Sequence, residues 1–392
     1  MPVPPLTILI SGAGISGLAA ARALALRGHR VTVLEQAPSI AEVGAGLQVS
    51  PNGMAVLRAL GLDAALRTNA PVARRIVLHN AAGRPVTRLD LSALARPDDF
   101  LLVHRADLIS VLADGATAAG ATLLTNRRVA SIHPGPVPKV VTEQGDTVSA
   151  DLILAADGVH STLAAALNPG NRTTFTGQVA WRATIPDAGA PEEVHVHMGP
   201  GRHLVTYPLR GGTLRNIVAV EERAAWSPES WSHRDDPENL RRAFAAMGPP
   251  VRDLLARVGQ VHLWGLFRHP VAARWHAENV ALIGDAAHPT LPFLGQGANM
   301  GLEDAWTFAA SLAETQTIPE ALARYHSSRV ARVARAVNVA NGNAWKYHLR
   351  PPFAPMAHLA LSTLGVVAPG VLTRGYTWLY DHDVTAGEML TQ

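Results

Sequence analysis

The chain has 392 residues, 48% hydrophobic and 17% charged, the balance of two or so packed domains, which excludes intrinsic disorder. Its 34 basic and 31 acidic residues leave a formal charge of +3, too small for a protein that neutralises many phosphates, so a small polar or anionic ligand is expected and a nucleic acid is not. Cysteine is absent and only Lys139 and Lys346 are lysines, which excludes disulfides, thiolate nucleophiles and Cys-ligated zinc; no metal site is expected, and a reducing cytoplasm fits best.

The opening Met1-Pro2-Val3-Pro4-Pro5 lacks the basic and then apolar run of an export signal. Residues 6–10 are apolar and β-prone, Gly12-Ala13-Gly14 begins a glycine-rich turn, an Ala/Leu-rich helix runs to residue 26, and residues 30–34 form a second buried strand closing at Glu35. This is a βαβ unit with parallel strands. Strands are expected at 75–79, 123–125, 129–133 and 152–155, and helices at 54–60 and 106–119. Near Gly177 the texture changes to strands at 194–198, 203–209 and 216–221, separated by Gly199-Pro200-Gly201 and Gly211-Gly212, as in an antiparallel sheet. A buried strand at 279–283 and a long helix at 298–312 resume the first pattern. The expected fold class is α/β. Residues 1–70, 101–175 and 271–340 form a discontinuous Rossmann-like nucleotide domain, 71–100 and 176–270 an inserted, mostly antiparallel substrate domain, and 341–392 a C-terminal helical segment.

Two stretches near the end carry unusual charge. Residues 321–380 contain Arg324, Arg329, Arg332, Arg335, Lys346, Arg350 and Arg374 and no acid, which reads as a solvated basic face balanced elsewhere, with steering of an anionic cofactor or contact with an anionic surface as the alternative. Residues 356–373 carry no formal charge and read as packed helices, with docking on a membrane surface as the alternative. Glu303-Asp304, placed in the first turn of the long helix, reads as compensation of its dipole.

Gly12, Gly14 and Gly17 make G-x-G-x-x-G between a strand and a helix, with Glu35 18 residues past the last glycine at the end of the next strand. The first glycine permits the tight turn, the second lets a pyrophosphate approach the backbone, and the third lets helix and sheet pack closely. The free N–H groups of the helix start would meet the phosphates, and Glu35 would accept from a ribose diol. This motif alone leaves FAD and NAD open.

Taken with Asp157-Gly158 after strand 152–155 and Gly284-Asp285-Ala286-Ala287-His288-Pro289 after strand 279–283, the set resembles the single-component FAD-dependent aromatic hydroxylases. That is the family of para-hydroxybenzoate hydroxylase and salicylate hydroxylase, and the motifs are similar to those of 3-hydroxybenzoate 6-hydroxylases. The resemblance implies a Rossmann-like FAD-binding domain and FAD as cofactor. NADH or NADPH would be a transient reductant, and O2 would hydroxylate a small aromatic substrate, a phenolic carboxylic acid, through a flavin C4a-hydroperoxide. It assigns Asp285 to the ribityl hydroxyls, Arg105 to the flavin nucleotide, the backbone of Val129 to the adenine, and Gly297 and Asn299 at a helix start to the flavin pyrimidine edge. The stretch from Gly44 to Gln48 would lie beside the isoalloxazine. After Asp157-Gly158 the chain departs from the family, with Thr162-Leu163-Ala164 where an arginine is common, which bears on pyridine-nucleotide contacts. No second G-x-G-x-x-G in strand-turn-helix context provides a separate NAD(P)H domain.

On the substrate side, Trp181, Leu204, Pro292, Phe293 and Leu294 are candidates for a dry pocket, with Gln48 beside them. His203 and Tyr207 stand four apart in a strand-like run and so share one face, and His203 is the candidate base for a substrate hydroxyl. Among 17 histidines a structural role for it is the competing reading. Gln296 is a candidate for orienting the same hydroxyl or a carboxylate. Two other functions compete: a membrane-facing FAD-dependent hydroxylase or reductase of an isoprenoid or quinone precursor, and a catalytically idle FAD-binding module.

Overall fold

The computed structural model describes residues 3–40, 45–224, 233–368 and 370–386. Strand Thr7–Ser11 lies inside a six-stranded sheet, flanked by Arg30–Leu34 and Leu152–Ala155, with Thr122–Leu124 at one edge and Val280–Leu282 followed by His276–Ala277 at the other. All neighbours are parallel except the last pair. Ile8, Ile10, Leu152 and Leu154 are fully buried, as near-continuous apolar strands covered on both faces must be. Helix Ile15–Ala25 packs on this sheet, and a Cβ at Gly17 would lie 2.1 Å from the Gly12 carbonyl oxygen, so only glycine fits there.

Helix Gly297–Glu314 lies against helix Ile15–Ala25. The approach depends on small residues, because a Cβ at Gly301 would sit 2.1 Å from Ser16 Oγ. The 30-residue helix Ile318–Tyr347 follows, started by a reciprocal capping box between Thr317 and Glu320. Of its arginines, Arg324 and Arg335 are exposed as a solvated face requires, but Arg329 and Arg332 turn inward. Arg329 is 1% exposed and pairs with Glu303 Oε2 at 2.6 Å and Asp304 Oδ1 at 2.7 Å, and Arg332 pairs with Glu303 Oε1 at 2.7 Å. The reading of Glu303-Asp304 as dipole compensation is corrected with it: both lie beyond the helix's first turn and are fully buried.

The second large sheet has eight strands in the order Arg234–Asp235, Val261–Arg268, Thr174–Pro186, Leu214–Glu222, Arg202–Leu209, Glu193–Gly199, Arg75–His79, Pro85–Asp90. Pairing is antiparallel except where Glu193–Gly199 meets Arg75–His79. Alternation divides its side chains between two environments. Val179, Trp181, Leu204 and Leu263 face helices Pro237–Ala243 and Pro249–Ala256 in a separate apolar core with Phe244 and Val251. The other face looks toward the parallel-sheet half.

The uncharged C-terminal run packs by one face only. In helix Phe353–Val367, Ser362 Oγ donates to the Val86 carbonyl at 2.7 Å, whereas Met356, Leu359 and Val366 are 68%, 69% and 82% exposed. Among the described residues no helix is long and apolar enough to cross a membrane.

Candidate active site

A cavity of about 610 Å3 runs between the two halves. Its first wall begins at the glycine turn. Gly12 has φ +103°, and a Cβ there would meet the Ala156 carbonyl oxygen at 2.5 Å, so this glycine serves the turn. Gly14 is different: a Cβ at this position would meet nothing within 4 Å, because it opens onto the cavity together with Ile15 and Ser16. The unfilled space over a helix N-terminus suits an anionic group. Glu35 stands at the end of the neighbouring strand, where its carboxylate accepts from the N–H groups of Ala13 and Ala37, each at 2.8 Å. Arg127 N–H donates to the Glu35 carbonyl at 2.8 Å, which brings the half-buried Val129 to the same edge, outside the cavity lining.

Further along this wall Asp285 opens onto the cavity from a turn in which Gly284 has φ +60°. Its enclosed position raises its carboxyl above the ordinary range, opposed by the charges of His288, Arg105 and His269. Arg105 also lines the cavity, as do Gly297 and Ala298 at the start of helix Gly297–Glu314. Asp157 sits behind the lining residues Gly158 and Val159; burial raises its carboxyl, and its Oδ1 has no hydrogen-bond partner among the described residues. The open cradle at Gly14, the cavity-facing Asp285 and the orphaned Asp157 oxygen fit a flavin dinucleotide.

The opposite wall is the inner face of the eight-stranded sheet. Val205 lies between His203 and Tyr207 on this wall, confirming that one strand face carries all three into the cavity. His203 is 2% exposed, its Nδ1 2.7 Å from His348 Nε2 and its ring edge-on to Phe293 at 5.5 Å. Burial and His348 hold it well below the ordinary histidine range. Tyr207 is buried, which raises its hydroxyl pKa, and its ring crowds Gly46, whose Cβ would lie 2.7 Å from Tyr207 Cε2. Gly46 N–H donates to Asn216 Oδ1 at 2.8 Å. The stretch expected beside the isoalloxazine is, from Gly46, a strand, Gly46–Val49, paired with Leu101–His104; Gly44 lies outside the described residues.

Several expected contacts are placed elsewhere. Trp181 is fully buried on the far face of the sheet, stacked edge-on with Phe244 and donating from Nε1 to Asp235 Oδ2 at 2.7 Å, and Leu204 shares that core. Strand alternation sends Arg182 into the cavity instead, its guanidinium 4.5 Å from the Trp264 ring centre. Pro292, Phe293, Leu294 and Gln48 do line the cavity. Gln296 reaches the lining, but its amide is engaged inside the protein: Nε2 donates to Ser50 Oγ at 2.9 Å, and Oε1 accepts from Asn52 Nδ2 at 3.1 Å. Asn299 is fully buried and outside the lining, accepting from Ser50 N–H at 3.0 Å and donating to the carbonyls of Gln48 at 2.9 Å and Gly295 at 3.0 Å. It pins the cavity wall rather than facing a ligand.

Sequence reasoning missed the network beneath that wall. Asn52 Nδ2 also donates to Glu303 Oε1 at 2.6 Å, so the Ser50–Gln296–Asn52 cluster is anchored to the Glu303–Arg329–Arg332 ion pairs. Asp304 pairs with His288 Nε2 at 2.5 Å and accepts from Gly284 N–H at 3.1 Å, which fixes the turn that presents Asp285. Burial alone would raise the Asp304 carboxyl; the charges of His288 and Arg329 outweigh it and bring the pKa down to about 2.

Residues 6–340 match the FAD binding domain family, and the chain belongs to it. It is 35% identical over 353 residues to a 3-amino-4-hydroxybenzoate 2-monooxygenase of Streptomyces cremeus, covering 87% of this chain and 88% of that protein. With a 3-hydroxybenzoate 6-hydroxylase of Polaromonas naphthalenivorans it is 34% identical over 345 residues, covering 85% and 86%. The structure of Klebsiella pneumoniae HpxO complexed with FAD and uric acid superposes with a TM-score of 0.82 at 26% identity, covering 95% of this chain and 97% of that one. A salicylate hydroxylase substrate complex shares the fold, with a TM-score of 0.81 at 23% identity and 97% of each chain covered. The protein is therefore a flavoprotein monooxygenase of the aromatic-hydroxylase type, with FAD as cofactor and NAD(P)H as the reductant typical of the family.

Proposed function

We propose that the protein hydroxylates a small phenolic carboxylic acid of the hydroxybenzoate type, consuming NAD(P)H and O2. One oxygen atom enters the ring and the other leaves as water. The observation that carries this reading is that a single cavity joins a dinucleotide cradle on one wall to Arg182, His203 and Tyr207 on the other. FAD, when bound, accepts hydride from NAD(P)H and activates O2. Gly12, Ala13, Gly14 and Gly17 form its pyrophosphate turn, Glu35 and the Val129 edge take the adenosine end, and Arg105, Asp157, Asp285 and the Gly297 backbone take the rest.

The chain's own groups supply selectivity and proton control. Arg182 is the cation for the substrate carboxylate. Pro292, Phe293 and Leu294 keep water from the ring. His203 takes the phenolic proton at Nε2, since a phenolate is the better nucleophile toward an electrophilic oxygen, and Tyr207 holds the Gly46 strand against the same space. Sheet membership supports residues 71–100 and 176–270 as the substrate-recognising unit, and the cysteine-free chain supports a cytoplasmic setting.

FAD-loaded protein should oxidise NADH or NADPH faster with 3-hydroxybenzoate, 3-amino-4-hydroxybenzoate or salicylate, and mass spectrometry should find one added oxygen in the product. Equal oxidation rates with and without all three acids, yielding only hydrogen peroxide, would refute the proposal.

A further inference from the structure

A proton leaving a substrate in this cavity has a hydrogen-bonded way out. His203 lines the cavity and its Nε2 has no partner among the described residues, while Nδ1 meets His348 Nε2 at 2.7 Å. His348 lies just past the end of helix Ile318–Tyr347, and its Nδ1 is 3.1 Å from Glu222 Oε1. Glu222 Oε2 in turn accepts from Arg350 Nη2 at 2.7 Å. The series opens outward: His203 and His348 are buried, the Glu222 side chain is 38% exposed and that of Arg350 67%. The inner end is closed by aromatic rings, with Tyr347 and Phe293 packed on His203 at 5.2 and 5.5 Å.

The turn before His203 is shaped around the outer end. Gly201 has φ +67°, and a Cβ there would sit 3.1 Å from Arg350 Nη2 and 3.2 Å from Glu222 Oε2. Gly201 N–H donates to the His348 carbonyl at 3.2 Å, and Glu222 N–H donates to the Gly201 carbonyl at 2.8 Å. The turn residue therefore holds both outer members of the series by backbone bonds and has no side chain to displace them.

We propose that His348 and Glu222 form a proton exit connecting His203 to solvent, an inference that rests on His203 being the base. As the phenolic proton bonds to His203 Nε2, the Nδ1 proton of His203 passes to His348 Nε2, and the Nδ1 proton of His348 passes to Glu222 Oε1 and on to water. One proton enters and one leaves, and each imidazole ends neutral in its other tautomer. Reverse passage, when the product oxygen is protonated, restores both tautomers. Neutral transfer suits the site. Burial lowers the pKa of both histidines, with His348 adding to the effect at His203. At His348 the attraction of Glu222 raises it, and the repulsion of Arg202 and Arg350 lowers it. A stored imidazolium is therefore disfavoured and through-passage is not. His348 is a positioning and relay residue here, because it touches neither substrate nor cofactor.

The test compares FAD-loaded wild type, His348→Ala, Glu222→Gln and His203→Ala, with 3-hydroxybenzoate and 3-amino-4-hydroxybenzoate as probes. FAD content and melting temperature serve as controls, and hydroxylation rate and peroxide yield are read against pH and against buffer concentration. His348→Ala should slow hydroxylation about tenfold or more, short of the ~10²–10⁴-fold of a lost base, and raise the peroxide yield. Alkaline pH or added imidazole should restore part of the rate. Glu222→Gln should become dependent on buffer concentration where wild type is not, and being at the surface it decides the matter if His348→Ala fails to fold. Unchanged rate, coupling and pH profile in both relay variants, alongside a defective His203→Ala, would overturn the exit and leave His203 as base. A His348→Ala that is slow but unresponsive to pH and imidazole would reduce it to packing and likewise overturn the exit. Wild-type behaviour of His203→Ala would remove the base itself, and the exit with it.

Discussion

Replacing Glu303 by Gln tests the buried ion network directly. The carboxylate is fully buried and accepts from Arg329 Nη1 at 2.6 Å, Arg332 Nη2 at 2.7 Å, Arg332 Nε at 2.8 Å and Asn52 Nδ2 at 2.6 Å. All four partners are donors, so a glutamine amide must turn its NH2 toward at least one of them and leave a guanidinium short of charge. Breaking one side of a buried pair costs about 3–5 kcal/mol. For a chain of 392 residues that corresponds to a fall in melting temperature of about 4–6 °C. FAD affinity should fall too, since Asn52 connects Glu303 to Gln296 at the cavity wall. Urea unfolding of the apoprotein reads the stability term, and fluorescence titration with FAD reads the second. The paired change Glu303→Leu with Arg329→Met should lose less than the sum of the singles, because the two partners of one buried pair leave together, although Arg332 still loses its carboxylate and Asp304 keeps only His288. A loss below about 1 kcal/mol in Glu303→Gln would refute the account.

The same network fixes the sign of the acid response. Glu303 and Asp304 are held below their unfolded values despite burial, Glu303 by Arg329 and Arg332 and Asp304 by His288 and Arg329. Their contribution is complete above the unfolded carboxylate range of about 3.9–4.3 and is lost as pH falls through the folded value, about 2 for Asp304. Apoprotein stability should therefore decline between roughly pH 4 and pH 2, and less steeply in Glu303→Gln.

Gly14→Ala should leave apoprotein stability within about 1 kcal/mol, since φ −74° suits any residue and its Cβ meets nothing, yet it should weaken FAD binding; equal FAD affinity would show that no phosphate approaches there. Arg182→Met should raise KM for a hydroxybenzoate about 10- to 100-fold, the worth of a charge-assisted hydrogen bond, with a smaller change in kcat. The corresponding phenol without a carboxylate should be turned over alike by both forms, and an unchanged KM for the acid would remove Arg182 from substrate binding.

The βαβ unit was legible because its determinants are local: Gly12, Gly14, Gly17 and Glu35 lie within one strand-turn-helix-strand, and each glycine's reason can be stated from backbone geometry. His203 and Tyr207 were legible for a related reason, since a period of two assigns residues to a common face. Periodicity does not say which face meets the cavity. That choice is made by which helices cover the sheet, and it places Trp181 against Phe244 and its neighbour Arg182 in the cavity. The inward bonds of Gln296 and Asn299 were not legible because their partners Ser50, Asn52 and Gln48 lie some 250 residues away in sequence, joined only when helix Gly297–Glu314 docks beside strand Gly46–Val49.

The arginines of helix Ile318–Tyr347 and the acids of helix Gly297–Glu314 were each read alone, and each reading assigned the charge to water or to a dipole. Read together they constrain one another. A stretch of 60 residues, 321–380, with seven cations and no acid must find its counter-charge in another segment, and Glu303-Asp304 sits inside a helix whose other residues from Gly297 to Leu312 carry no charge at all. Adjacent acids in an apolar helix cannot both be solvated when the residues three and four positions away on either side are buried. Met300, Trp306 and Phe308 are buried on that helix, so the acids go inward with it. Burial of two carboxylates needs charged partners, and besides His288 these are the guanidiniums of Arg329 and Arg332. The helix that supplies them therefore has to pass directly beneath the turn presenting Asp285 and the residues around Gln296, which makes the ion network a condition for the shape of the flavin-facing wall.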